Sequence, residues 1–264
     1  MSLTAEELDQ YTRQGFILMR GLIDPDTLSR IDARFLELAT GEATPPEDMV
    51  IMKDVAFMDG KVKARSPLHA INKILSFESD PILWSYATGE RLLTPVRDLV
   101  GKDLRTLSTN VFNKPPGVDG RHPLHQDLRY FALRPAGGIV ATWTAIGPCT
   151  RETGCLAVIP GSHRGDLMEH GDPDWEQVNH GFFAARGIDL EARVHVEMEP
   201  GDTLLFHPLL IHGSGRNRSD GFRRSVSVHY ASRDCKRPES LSGRRPRTRR
   251  IGAAMKDVES PGSP

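Results

Sequence analysis

Cysteine is scarce in this chain of 264 residues: there are only three, Cys149, Cys155 and Cys235. Their number is odd and no two stand in a paired metal-binding spacing. That excludes a disulfide-stapled secreted domain and sets the expectation of a reducing compartment. Long apolar runs are also missing. Nothing approaches the roughly 20 residues that cross a bilayer, and the first 25 residues lack a signal-peptide pattern. The terminal Gly262-Ser263-Pro264 is not a peroxisomal Ser-Lys-Leu signal. A cytoplasmic protein without a membrane span is expected. No internal repeat is present. Net charge is small, −1, but uneven, because residues 236–264 hold eight Lys and Arg against three Asp and Glu. Arg244-Arg245-Pro246-Arg247-Thr248-Arg249-Arg250 sits there among Pro, Gly and Ser and reads as a disordered, solubilising tail. Nucleic acid, an acidic partner or CoA phosphates are the alternative contacts for that tail. For the chain as a whole, neither a nucleic-acid partner nor an obligate protein partner is expected.

Residues 1–235 are long enough for one sizeable core. Thr4-Ala5-Glu6-Glu7 reads as a capping box that opens a short helix, with Leu8 and Tyr11 on one face, ahead of a strand in 15–23. Asp24-Pro25 opens a second helix whose Leu28, Ile31, Phe35 and Leu38 form an apolar stripe that Gly41 stops, and Asp80-Pro81 opens a third. Beyond Leu104, turn residues separate short apolar runs at 138–146, 156–159, 194–198, 204–211 and 226–230. Helices followed by many strands predict a mainly β domain with flanking helices, a barrel or sandwich. The long segments 43–66 and 164–192 are candidate lids or plain surface excursions.

His125-Gln126-Asp127 and His212 carry the chemistry. In an extended segment residues i and i+2 share a face, so His125 and Asp127 would point together while Gln126 points away. His212 ends the apolar run that Pro200-Gly201 opens, which would place a third ligand on a buried strand. Two imidazoles and one carboxylate suit one face of a six-coordinate iron(II) with open positions. A second pair, His170-Gly171-Asp172, lies among turn formers and reads as a surface loop. Residues 213–222 predict a turn, and the strand after it is expected to return beside the one ending at His212. Alternation puts Arg223, Ser225, Ser227 and His229 on one face and Arg224, Val226, Val228 and Tyr230 on the other. Arg223 would then face the metal cavity as a fork for a carboxylate, and Arg224 is read as a solvated charge.

The runs Arg121–Phe131, Gly154–His163 and Gly201–Gly215 together resemble the phytanoyl-CoA dioxygenase family over residues 5 to 235. Asn113-Lys114-Pro115-Pro116, the run from His207 to His212 and Ala231–Cys235 are more similar to its phytanoyl-CoA hydroxylases than to its ectoine hydroxylases. The resemblance implies a double-stranded β-helix, or jelly-roll, that uses iron(II), 2-oxoglutarate and O2, with ascorbate as an optional reductant. It assigns iron to His125, Asp127 and His212, and the far carboxylate of 2-oxoglutarate to Arg223 and Ser214. Lys73 and Trp143 match further co-substrate contacts, as does Asn110, which stands where the compared hydroxylases carry Met. Trp143 also reads as a core aromatic and Lys73 as a helix-end charge. Because Asp127 is retained, hydroxylation is implied over the chlorination of related halogenases, in which a small residue replaces the carboxylate ligand and chloride binds iron instead. The implied substrate is a branched acyl-CoA oxidised at carbon 2, for which Lys114, Arg121 and Arg129 are the cations in view. A free small metabolite or natural-product intermediate, and a catalytically silent metal-binding jelly-roll, are the alternatives.

Overall fold

Proline and acidic caps set most of the helices in this computed structural model, which describes residues 1–176, 179, 181–239, 248–252 and 258–259. Helix α1 (Ala5–Gln14) starts at the Thr4–Glu7 capping box and ends at Gly15, whose φ of 84° a side chain would strain. Strand β1 (Phe16–Met19) follows, then α2 (Pro25–Thr40), capped by Asp24. Its stripe Leu28, Ile31, Phe35 and Leu38 is buried as expected. Next come β2 (Val50–Lys53), the one-turn helices α3 (Val55–Met58) and α4 (Pro67–Ala70), and β3 (Ile71–Leu75). Helix α5 (Pro81–Ala87), capped by Asp80, leads to α6 (Glu90–Val100), which the sequence reading missed.

The strands then alternate between two sheets. Strands β4 (Leu104–Lys114), β5 (His122–His125), β6 (Ile139–Ala145) and β7 (Leu156–Val158) precede a short ladder of β8 (His170–Gly171) and β9 (Ala184–Ala185). After it come β10 (Val194–Val196), β11 (Thr203–Phe206), β12 (His212–Ser214) and β13 (Arg223–Ser232), then β14 (Thr248–Arg250) and β15 (Val258–Glu259). The large sheet runs β1-β11-β6-β13-β4-β14-β15, with β3 beside the other half of β4 and β2 outside it. The small sheet runs β10-β7-β12-β5. This is the jelly-roll with flanking helices that the sequence implied.

Alternation along the large sheet builds two cores. Val226, Val228, Tyr230, Val111, Val140 and Leu205 face the layer of α2, α5 and α6. Ala141, Trp143, Leu204 and Phe206 face inward, against Leu156, Val158 and Val196 of the small sheet. Each Val, Leu or Phe among them contributes about 1.5–3 kcal/mol by leaving water. Arg224 lies on the helix-facing side and binds both carboxylate oxygens of Asp32 on α2. It is therefore an interlayer clamp, not the free surface charge expected from the pattern.

Three expectations on topology are corrected. The run 204–211 is not one strand: β11 ends at Phe206, the chain turns through His207-Pro208, and His212 opens β12 in the other sheet. Pro208 has no N–H to continue the ladder. Strand β13 does not return beside β12 but pairs with β4 and β6. His170-Gly171 forms a two-residue ladder with Ala184–Ala185 instead of an unpaired loop. Of the stretch expected as a disordered tail, Thr248–Arg250 adds a strand to β4. Arg249 is 1% exposed there, with its guanidinium 4.2 Å from the Trp84 ring centroid, so its charge rests on an aromatic face. Residues 240–247, 253–257 and 260–264 of that stretch lie outside the described residues.

Candidate metal and co-substrate site

His125 ends β5 and His212 opens β12, and the two are register partners across the small sheet. Gln126 is extended, at φ −118° and ψ 126°, and Asp127 follows at the start of a tight turn, which turns its carboxylate to the side of His125. One donor atom from each of His125, Asp127 and His212 lies within 4.8 Å of the others, and all three residues are buried. Nδ1 of His125 donates to the Pro123 carbonyl at 2.8 Å and Nδ1 of His212 to the Leu210 carbonyl at 3.0 Å. Those bonds fix each ring so that its Nε2 faces Asp127, at 3.2 Å and 3.7 Å. Second bonds that fix tautomer and ring orientation are what metal-binding imidazoles require. The donor set therefore fits a divalent iron. Gln126 does point away: its amide donates to Leu209 O at 2.9 Å and accepts from Met168 N at 2.8 Å, tying the long 164–192 segment to the strand end.

Electrostatics reinforce the arrangement. Burial would raise the Asp127 carboxyl, but His212 and His229, with hydrogen bonds from His125 and His229, hold it well below the usual carboxylate range. Burial pulls His212 down to about 4, so it is neutral at physiological pH and free to ligate.

The cavity beside this triad is walled by Trp143, Ser214 and Arg223 among others. Arg223 opens β13 and is 2% exposed. Its Nη1 donates to Ser225 Oγ at 3.1 Å and its Nη2 to Gly154 O at 3.0 Å, while its buried Nε has no partner among the described residues. The guanidinium carbon lies 5.3 Å from the Trp143 ring centroid. Gly154 is needed there, because a Cβ would sit 2.6 Å from Gly215 O at a φ of +81°. A buried guanidinium without a carboxylate is a fork for an incoming one.

Of the co-substrate contacts expected from the resemblance, Trp143, Ser214 and Arg223 share the cavity with the metal triad. Lys73 and Asn110 are not among the residues that wall it. Lys73 Nζ lies 5.0 Å from the Phe182 ring and 5.7 Å from the Phe112 ring. Burial lowers Lys73 to about 8, against the pull of Asp127. Asn110 donates to Ser108 Oγ at 2.9 Å and is the register neighbour of Ser227.

Two cavity-wall residues, His229 and His122, carry no role in the sequence reading. His229 donates from Nε2 to Asp127 Oδ2 at 2.8 Å. Alternation had put it on the face of Arg223, which was the available signal. His122 stacks on His125 at 4.2 Å and on Phe182 at 4.0 Å, and its neighbourhood depended on the fold of the 164–192 segment. Lys114, read as a loosely placed cation, is 6% exposed and bound to Ser214. Arg121 is held by both oxygens of Asp119, at 2.7 and 2.6 Å, and Arg129 lies over Phe183 at 5.1 Å.

A jelly-roll that brings two histidines and a carboxylate to one end of its small sheet, with a buried arginine across the cavity, has the build of the iron- and 2-oxoglutarate-dependent oxygenases. This chain is an enzyme of that class. The model of the phytanoyl-CoA dioxygenase family matches residues 11–225, and the chain belongs to that family. It is 41% identical to a probable phytanoyl-CoA dioxygenase of Caenorhabditis elegans over 91% of this chain and 79% of that one. It is 41% identical to the peroxisomal phytanoyl-CoA dioxygenase of Mus musculus over 88% of this chain and 70% of that one. Among solved structures, EctD from S. alaskensis with 2-oxoglutarate and 5-hydroxyectoine shares the fold with a TM-score of 0.65 and 20% identity, over 87% of this chain and 76% of that one. The epimerase SnoN, in complex with Fe3+, alpha ketoglutarate and nogalamycin RO, does so with a TM-score of 0.66 and 21% identity, over 98% and 95%.

Proposed function

We propose that this chain is an iron(II)- and 2-oxoglutarate-dependent hydroxylase that oxidises carbon 2 of a branched-chain acyl-CoA and releases succinate and carbon dioxide. The observation that carries the reading is the His125–Asp127–His212 triad opening onto the same buried cavity as Arg223. His125, Asp127 and His212 would hold the iron. Arg223 and Ser214 would receive the far carboxylate of 2-oxoglutarate, with Trp143 along its chain. Bound there, iron supplies the activation of dioxygen against 2-oxoglutarate that delivers one oxygen atom to a C–H bond. The protein's own part is to fix the imidazole tautomers, neutralise the co-substrate and exclude water through His122, Phe182 and Trp143. Residues 1–235 form one oxygenase domain in this reading.

The acyl-CoA assignment is supported by the names of the relatives at 38–41% identity. It is also supported by a groove outside the small sheet, walled by Leu124, Ala157, Trp175, Arg186 and Arg193 and sharing His122 and Gly213 with the cavity wall. Arg186 and Arg193 are exposed and make no ion pair among the described residues, so they are better placed for CoA phosphates than the buried Lys114. A free small metabolite is the second reading, supported by the solved structures of similar fold whose named ligands are not CoA esters. Mass spectrometry after incubation with iron(II), 2-oxoglutarate, oxygen and either phytanoyl-CoA or phytanic acid separates them. A thioester product heavier by one oxygen supports the first reading; oxidation of free acids or other small molecules alone supports the second. Three buried free cysteines fit a reducing compartment, and no helix among the described residues is long and apolar enough to cross a membrane. A cytoplasmic setting is proposed, although the mammalian relatives are named as peroxisomal; fractionation of the source cells tests it.

A further inference from the structure

Lys114 and Arg223 are direct register partners on β4 and β13, and both side chains line the metal cavity. They are 6% and 2% exposed. Lys114 Nζ donates to Ser214 Oγ at 2.8 Å and to the Gly215 carbonyl, whereas Arg223 reaches only Ser225 Oγ and the Gly154 carbonyl. Among the described residues no carboxylate lies in ion-pair contact with either. The nearby acid, Asp119, is taken by Arg121 at 2.6 Å and Arg216 at 2.9 Å.

Like charges directly opposite each other on neighbouring strands destabilise a sheet, and buried charges are costly unless paired. Burial and then Arg223 press the Lys114 ammonium well below its usual value, against the weaker pull of Asp119. Two basic groups that line one cavity with no carboxylate partner among the described residues are both favoured in their charged forms when an anion binds between them. A single guanidinium would serve to orient a carboxylate; a second cation adds selection for a ligand that carries that carboxylate.

We propose that Lys114 is a specificity-determining residue, a second cationic anchor that with Arg223 and Ser214 selects 2-oxo acids bearing a far carboxylate over 2-oxo monoacids. The proposal rests on the co-substrate reading above. It treats the Lys114–Ser214 bond as the resting state of an anion seat, in which the ammonium and the hydroxyl both turn to the ligand.

The test is anaerobic calorimetric titration of the iron(II)-loaded full chain with two ligands, 2-oxoglutarate and 2-oxopentanoate, which differ only in the far carboxylate. Lys114→Met keeps the length of the side chain without its charge, and Lys114→Gln keeps a donor for Ser214, so that one serves if the other does not fold. Either variant is expected to bind 2-oxoglutarate about 10- to 100-fold more weakly, the range for a charge-assisted bond, with 2-oxopentanoate and iron(II) affinity unchanged. Equal weakening of both 2-oxo acids, or of neither, overturns the proposal. Failure of wild-type protein to bind 2-oxoglutarate at all would instead overturn the co-substrate reading on which it rests.

Discussion

His229 Nε2 lies 2.8 Å from Oδ2 of Asp127, so a histidine on the large sheet holds the carboxylate that the turn after β5 presents to the small-sheet histidines. The bond crosses the sandwich. It occupies one carboxylate oxygen with a donor and leaves Oδ1 on the side of His125, 3.2 Å from its Nε2.

His229→Leu is therefore expected to weaken iron(II) binding roughly 10- to 100-fold, the usual cost of losing a hydrogen-bond partner behind a ligand. His229→Gln, whose amide can still donate to Oδ2, is expected to recover part of the loss. Anaerobic iron titration followed by dialysis and metal analysis reads both. Unchanged affinity in His229→Leu would show that Asp127 needs no such support.

Arg223→Ala is expected to weaken 2-oxoglutarate by about 10-fold or more while iron(II) affinity changes little, because the guanidinium touches none of the three metal donors. Parallel titrations of metal and co-substrate check this. Equal loss of both, or of neither, counts against its assigned role.

Lys73 gives a pH signature. Its folded value is about 8 against an ordinary 10.5, with burial the leading cause. Below pH 8 the lysine is charged in both folded and unfolded chains, and the cost of burying the charge is full. Between about 8 and 10.5 the unfolded chain holds a proton that the folded chain lacks, so wild-type stability from this group rises with pH. Lys73→Met is expected to be more stable than wild type at pH 7, by up to about 3 kcal/mol, with the advantage fading toward pH 10.5. Urea unfolding at pH 7 and pH 10 measures the difference; an advantage independent of pH contradicts the assignment.

The two segments flagged as possible lids meet at Asp54. Its Oδ2 accepts from Asn179 at 2.8 Å and from Asn72 at 3.2 Å, and Val55 N donates to Asn179 Oδ1 at 2.8 Å. Three residues beyond Asn179, Phe182 stacks on His122. Asn179→Ala is expected to cost roughly 1–3 kcal/mol, as for a buried polar group left without its partner, and to raise succinate formed per product hydroxylated by loosening the cover of the cavity. Thermal unfolding and the succinate-to-product ratio test it. An unchanged ratio at reduced stability would leave Asn179 a purely structural tie.

The elements most legible in the sequence are those in which one physical cause dominates. The α2 stripe and its Asp24 and Gly41 ends, and the inward and outward faces of β13, follow from period and capping alone. Strand β4 escaped notice because Ser108, Asn110 and Lys114 break the apolar alternation that marks a strand, and of these Lys114 lines the cavity. The partition of 204–211 between two sheets depends on which sheet accepts each half, a long-range choice that no local pattern records. The His125, Asp127 and His212 set was visible because ligand chemistry restricts residue type. His229 and Lys114 act on other residues, and only pairing across the fold brings them to Asp127 and Ser214.

The most direct test of the central claim is release of carbon dioxide from carbon 1 of labelled 2-oxoglutarate by iron(II)-loaded protein in air, with and without a branched acyl-CoA. Iron-dependent release that the acyl-CoA stimulates, matched one to one by hydroxylated thioester and abolished in His125→Ala, is the predicted result. Iron and 2-oxoglutarate both bound, with no release under any acyl-CoA or free acid, would contradict it and leave a silent metal-binding jelly-roll.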